Sequence, residues 1–379
     1  MSEENTPIEG HCPSSFQPVA DAFRQNFAEH DDLGASFCLV RHGETVIDLW
    51  GGYLDVERTR PWQRDTLVNV YSTTKTMTAL SALLLADRGE LDFDRPVRDY
   101  WPEFGKPQIT TAHFMSHTAG LSGLDEPTVP QDLYDWEKIT GLLAAQDPWW
   151  EPGTVSGYHA ITQGYLTGEV VRRITGQTLG TFFRKEIAEP LGTDFHIGLP
   201  EEHDERVGDL VPPQTTPQEQ SNPHSIAART FANPFSPAEN SSTTAWRRAE
   251  IPAAGGIGNA RSVAQTQAVL AMDGELQAKR LLSPEGCRRA LEEQTSGVDL
   301  VLGVALSHGL GYGLGNAVMP LPSPKACFWG GWGGSTILVD FDQGLALSYV
   351  MNRMEGDLLG DVRGGLLTAA VYQSLAQGA

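Results

Sequence analysis

Residues 72–89, STTKTMTALSALLLADRG, limit the possible folds more than any other stretch of this chain. They are good helix formers stopped by Gly89, and they are apolar nearly all round rather than along one stripe. Such a helix needs cover on every side, so the rest of the chain must wrap around it. The two ends supply strands. SFCLVR (36–41) and TVIDLW (45–50) are β-rich runs separated by His42-Gly43-Glu44, which predicts a hairpin with glycine at its turn. Near the other end, ACFWGGWGGSTILVDFDQGLALSYVMNR (326–353) alternates as adjacent antiparallel strands, and DLLGDVRGGLLTAAVYQSLAQ (357–377) closes with a helix.

The middle of the chain reads differently. ITTAHFMSHTAGL (109–121) starts a helix that Gly120 is expected to end, and 130–200 is mostly helical, with DLYDWEKITGLLAAQ, ITQGYLTGEVVRRITG and LGTFFRKEIAEPLG at helical spacing. From 200 to about 245 the chain is polar and rich in Pro and Asn, a long irregular surface segment of the kind that forms lids and rims. Helices return from IPAAGGIGNARSVAQTQAVL (251–270), and LSHGLGYGLG (306–315) reads as loop before a strand. The expected fold class is α+β: one antiparallel sheet assembled from both chain ends and flanked by helices, with a helical lobe inserted. The boundaries put one domain at 17–375, its α/β lobe at about 17–95 and 245–375 and its helical and loop lobe at about 96–244, with a ligand crevice between them.

With 379 residues, 40% hydrophobic, the chain has ample material for a large core, and a net charge of -21 argues against gripping nucleic acid or an anionic membrane. No stretch approaches the roughly 18 apolar residues of a membrane span, and MSEENTPIEG lacks a secretion-signal layout, so a cytoplasmic location is expected. Cys12, Cys38, Cys287 and Cys327 lie far apart without metal-ligand spacing, which indicates neither a disulfide framework nor a metal site.

Two motifs compete for the chemistry. Arg41-His42-Gly43-Glu44-Thr45 spells the phosphate-gripping signature of histidine phosphatases, and Ser307-His308-Gly309 looks like that family's second histidine motif. There, however, the signature closes a strand and leads into a helix, whereas here another strand follows. His42 is therefore a turn residue and the phosphatase reading a decoy. The other motif is Ser72-Thr73-Thr74-Lys75, which puts a hydroxyl and an amine one turn apart on one face of the buried helix. A serine needs a neighbouring base, and a lysine serves if desolvation lowers its pKa. Alone, this spacing is equally that of a helix-capping serine with an exposed lysine.

The order of further phrases makes the motif specific. With FMSHTAGL (114–121), WEPGTVSGYHAITQGYLTGEVVRRITG (150–176), PAAGGIGNA (252–260) and FWGGWGGS (328–335), the chain resembles the serine β-lactamase and penicillin-binding-protein superfamily in its class C-like branch, most of all the family VIII carboxylesterases, from about 17 to 375. The resemblance implies a β-lactamase/transpeptidase-like fold and a catalytic set of Ser72, Lys75 and Tyr158. In the cycle it implies, Ser72 attacks an ester carbonyl while Tyr158, its phenolate stabilised by Lys75, takes the proton and later hands it to the leaving alcohol. The oxyanion hole would be the amides of Ser72 and Trp332. Neither a metal nor an organic cofactor is required, and the implied partner is a small-molecule ester.

Departures from the family pattern bear on substrate. The Lys-Thr-Gly motif aligns with Trp329-Gly330-Gly331, removing the cation that meets a penicillin carboxylate. Tyr-x-Asn appears as Tyr158-His159-Ala160, removing an amide. Both point from lactam to simple ester, with Trp329, Gly330, Gly331 and His159 expected around the substrate, His159 more in support than in chemistry. Trp149, Trp150 and ARTFANPF (228–235) are further pocket candidates, ranked below Trp329 and Trp332. The alternatives on the same site are an acyltransferase, a D-amino-acid peptidase or amidase, and a weak β-lactamase. A non-catalytic ligand-binding relative is a different class, and the presence of Ser72, Lys75 and Tyr158 together speaks against it.

Overall fold

The structure, a computed structural model, describes residues 6–214 and 222–379; residues 215–221 of the polar segment lie outside the described residues. Helix Thr74–Asp87 occupies the centre, with every residue from Thr74 to Leu85 buried. Its all-round apolar surface is covered by helices Thr162–Thr175, Leu179–Phe183, Ala260–Ala271 and Pro284–Arg288.

The main sheet is built from β1 (Ile8–His11), β2 (Gly34–Arg41), β3 (Glu44–Gly52), β9 (Thr295–Val298), β10 (Ala305–His308), β11 (Gly313–Leu314), β12 (Ala326–Gly330), β13 (Thr336–Asp340) and β14 (Leu345–Met351). Its order is β1-β3-β2-β14-β13-β12-β11-β10-β9, with every neighbouring pair antiparallel. The two chain ends meet where β2 pairs with β14, from Arg41 opposite Leu345 to Ala35 opposite Met351. All of β14 is buried, because helices Ala260–Ala271 and Val362–Ala376 both pack on it. A small sheet of β4 (Val68–Asn69), β6 (Gly256–Gly258) and β5 (His196–Ile197) lies just before the central helix, and β7 (Glu275–Leu276) pairs with β8 (Lys279–Arg280).

His42 and Gly43 form the turn of the β2–β3 hairpin, with φ of 49° and 83°. His308 ends β10, five strand spacings from β2, a separation on the order of 24 Å. The two histidines of the phosphatase signature therefore do not meet.

Three expectations need correction. LSHGLGYGLG is a tight hairpin joining β10 to β11, closed by Gly309 N donating to Tyr312 O at 2.8 Å, rather than a loop. The helix begun at Thr111 ends at Met115, because His117 takes φ 61° well before Gly120. The described part of 200–245 is not wholly irregular: helices Ile226–Ala232 and Thr244–Arg248 form there, capped by Ser225 and Thr243.

Candidate active site

The chain bends sharply just before the central helix. Tyr71 adopts φ 44°, a left-handed conformation costing a non-glycine residue about 1–2 kcal/mol, then passes through a 3-10 turn into the helix. Tertiary contacts hold it there. Tyr71 Oη donates to Ala238 O at 3.3 Å, and its ring packs 5.1 Å from Trp332 and 6.2 Å from Trp246.

The bend brings three predicted residues together. Ser72 Oγ lies 2.5 Å from Tyr158 Oη and 3.1 Å from Lys75 Nζ. Lys75 is fully enclosed, and its Nζ also donates to Ala160 O at 2.7 Å and Ala253 O at 3.0 Å. Burial holds the amine well below the ordinary lysine range, with no carboxylate beside it to offset the desolvation. Burial pushes Tyr158 the other way, above the usual phenol range. The Ser72 hydroxyl counters that shift, the Asp299 charge adds to it, and the Trp329 indole opposes it. Trp329 Nε1 nonetheless makes no well-aligned hydrogen bond. Burial therefore disfavours both the ammonium and the phenolate.

The glycine-rich turn after β12 borders the nucleophile. A Cβ on Gly331 would sit 3.2 Å from Ser72 N and overlap Val70 O and Ser335 Oγ, so only glycine allows this approach. Ser335 ties the two segments: its Oγ donates to Val70 O at 2.8 Å and meets Thr73 Oγ1 at 2.8 Å. Among the described residues no acceptor takes the amide of Ser72 or Trp332, so both are free for an oxyanion. Behind the turn, Arg363 Nη2 donates to Gly333 O at 2.9 Å while its Nη1 pairs with the buried Asp32 at 2.8 Å.

A small cavity of about 80 Å³ opens beside Ser72, with Tyr71, Phe231, Trp246, Trp332 and Leu358 among its walls. Among the described residues its lining contains neither Lys nor Arg. Trp332 is on this wall, and so are Thr230, Phe231 and Pro234 of the 228–235 stretch. Trp329, Gly330, Gly331 and His159 are not part of this wall, although the turn that carries Gly331 borders Ser72. Trp329 is buried beneath, stacked 5.6 Å from His117 and 5.8 Å from the Tyr158 ring. His159 spends both ring nitrogens on the backbone, accepting from Leu121 N at 3.0 Å and donating to Gly157 O at 2.7 Å. Trp149 and Trp150 also stay off the wall.

Sequence reasoning missed several neighbours. Ala253 O, inside the quoted PAAGGIGNA, and Trp246 had no chemical signature to mark them. His117, inside FMSHTAGL, is buried against Tyr158 with ring centroids 5.1 Å apart, and it remains neutral because burial and the neighbouring His308, His159 and Lys75 all lower its pKa. No cluster of three or more potential metal ligands occurs among the described residues.

An antiparallel sheet covered by helices, with a serine, lysine and tyrosine converging at the start of a buried helix, defines a β-lactamase/transpeptidase-like protein. The sequence profile of the beta-lactamase family matches residues 19–370, and the chain belongs to that family. It is 34% identical to the Esterase/beta-lactamase LipL of Mycobacterium tuberculosis, over 98% of this chain and 88% of that protein. The crystal structure of a family VIII carboxylesterase superposes with a TM-score of 0.91 at 41% identity, covering 97% of this chain and all of that one. A penicillin-binding protein homologue from Caulobacter crescentus fits with the same TM-score of 0.91 at 40% identity, over 97% of this chain and all of the other.

Proposed function

We propose that the protein is a serine carboxylesterase that cleaves short, uncharged esters through an acyl-enzyme on Ser72. The observation that carries this reading is Ser72 Oγ lying within hydrogen-bond reach of both Lys75 Nζ and Tyr158 Oη at the edge of an apolar cavity. A neutral lysine has two N–H donors and one lone pair. With Ala160 O and Ala253 O taking the donors, the lone pair is left for Ser72, which makes Lys75 the base. This reverses the relay expected from the sequence, in which a Tyr158 phenolate took the proton, because burial disfavours phenolate and ammonium alike.

The cycle is as follows. The Ser72 proton passes to Lys75 as Oγ bonds to the ester carbonyl carbon, and the amides of Ser72 and Trp332 hold the oxyanion. The C–O bond to the alcohol then breaks. Tyr158 gives its proton to the departing alkoxide and is reprotonated from Lys75. Water attacks the acyl-enzyme, its proton going to the same relay, and Ser72 leaves protonated.

The carboxylesterase fold neighbour and the esterase named among the relatives support ester chemistry. A cavity without a cation supports poor capture of a penicillin carboxylate. The test is hydrolysis of p-nitrophenyl butyrate and of nitrocefin by wild type and Ser72→Ala, with intact-mass analysis after a serine-directed phosphonate. Butyrate turnover and a single adduct, both absent in Ser72→Ala, are expected. Undiminished turnover in Ser72→Ala refutes the assignment, and nitrocefin cleaved faster than the ester moves the protein to the lactamases.

A further inference from the structure

The decoy histidine motif leads to a buried charge behind the site. His308 Nε2 lies 3.7 Å from Asp299 Oδ2, and both residues are fully enclosed. Asp299 Oδ1 accepts three amides: Tyr158 N at 3.0 Å, Val301 N at 2.9 Å and Leu302 N at 2.9 Å. Leu300 N donates to Ser156 O at 2.9 Å, so the loop 299–302 is laced to the segment that carries Tyr158.

The charges around the Tyr158 phenol are lopsided. Its ring meets Lys75 from the central helix and His117 from the loop after helix Thr111–Met115; His117 in turn packs against His159 and against His308 of β10, and Asp299 of the β9–β10 loop holds the Tyr158 backbone amide. Burial holds Lys75, His117 and His159 low and so disfavours a positive charge on each of them. Burial also pushes Asp299 up, but His308 and the amides outweigh it and hold the carboxyl near 2. Asp299 is thus an anion directly behind the tyrosine, disfavouring a second negative charge there.

We propose that Asp299 is a positioning residue for the reaction: its carboxylate fixes the Tyr158 backbone, and its negative charge keeps the phenol protonated as the donor to the leaving alcohol. The inference rests on the Ser72–Lys75–Tyr158 reading above. Asp299→Asn keeps an oxygen for the three amides and removes the charge; Asp299→Ala removes both. The alkaline limb of kcat for p-nitrophenyl butyrate should move to lower pH in Asp299→Asn by about one pH unit or more. Asp299→Ala should lose about 100-fold in kcat, the typical cost of a displaced catalytic group, with KM little changed.

A merely structural aspartate would lower thermal stability in both variants and leave the pH profile where it is; that result overturns the proposal. An ultraviolet difference titration of wild type against Tyr158→Phe, which needs no Asp299 variant to fold, should show Tyr158 ionising above free tyrosine. A phenolate signal at neutral pH overturns the proposal as well. If Tyr158→Phe turns over like wild type, the failure lies in the relay reading and not in Asp299.

Discussion

Replacing Lys75 by arginine separates a base from a mere positive charge. Arginine stays protonated and has no lone pair for the Ser72 proton, so the base is lost and a fixed cation takes its place. The amine meets three acceptors, Ser72 Oγ, Ala160 O and Ala253 O. A guanidinium brings five N–H donors, so at least two go unpaired in a buried site at about 1–3 kcal/mol each. The fold should therefore lose about 2–6 kcal/mol. For a chain of 379 residues the unfolding entropy is about 0.8 kcal/mol per kelvin, which converts this to a Tm drop of about 3–8 °C. Loss of a positioned base should lower kcat by about 10²–10⁴-fold. The assay is kcat/KM for p-nitrophenyl butyrate with the rate of phosphonate labelling of Ser72, alongside thermal denaturation to confirm folding. Lys75→Arg that is folded and keeps more than about a tenth of wild-type turnover refutes the reasoning.

Other perturbations address the remaining parts. Gly331→Ala forces a methyl against Val70 O and Ser335 Oγ and pushes the Trp332 amide off its position; kcat/KM should fall about 10²–10³-fold in folded protein, and a loss under tenfold would dismiss this oxyanion geometry. Trp246→Ala removes a buried cavity wall, so the hexanoate-to-butyrate ratio of kcat/KM should rise about tenfold at some cost in Tm; an unchanged ratio places the acyl group elsewhere. Activity requires neutral Lys75, so it is lost as pH falls through the amine's depressed pKa. The acid limb of kcat/KM should therefore lie well below the ordinary lysine value of about 10.4, and a limb at that value would show the amine unperturbed.

What was legible in the sequence was what neighbouring residues determine. The His42-Gly43 turn and the buried helix after Ser72 follow from local composition, and they were enough to reject the phosphatase signature. The Ser72-to-Lys75 spacing fixes a shared helix face, and the structure brings both to Tyr158. Side-chain direction was not legible. Aligning Trp329 with the lysine of a known motif gives its place along β12 but not that His117 stacks on it and Tyr158 lies against it. His159 follows Tyr158 directly, yet its ring is captured by Leu121 N and Gly157 O. The short strands β10 and β11 were hidden by glycines, and helix Ile226–Ala232 by its Pro- and Asn-rich surroundings. Asp299 reaches Tyr158 across 141 residues of sequence, a contact no local pattern reports.

The pairing of β2 with β14 has a consequence for how the protein comes to life. Ser72 belongs to the first quarter of the chain, but the glycine turn beside it is held by β12, β13 and Arg363, all from the last sixth. A ribosome delivers these parts in that order, at roughly 5–20 residues per second. The nascent chain therefore carries its serine and lysine for many seconds beside an unfinished sheet with β2 unpaired along one edge. Contacts this distant in sequence make folding slow and leave that edge exposed to misassociation meanwhile. Hydrolytic competence should arrive late and all at once, when the final strands zip into the gap between β2 and the rest of the sheet.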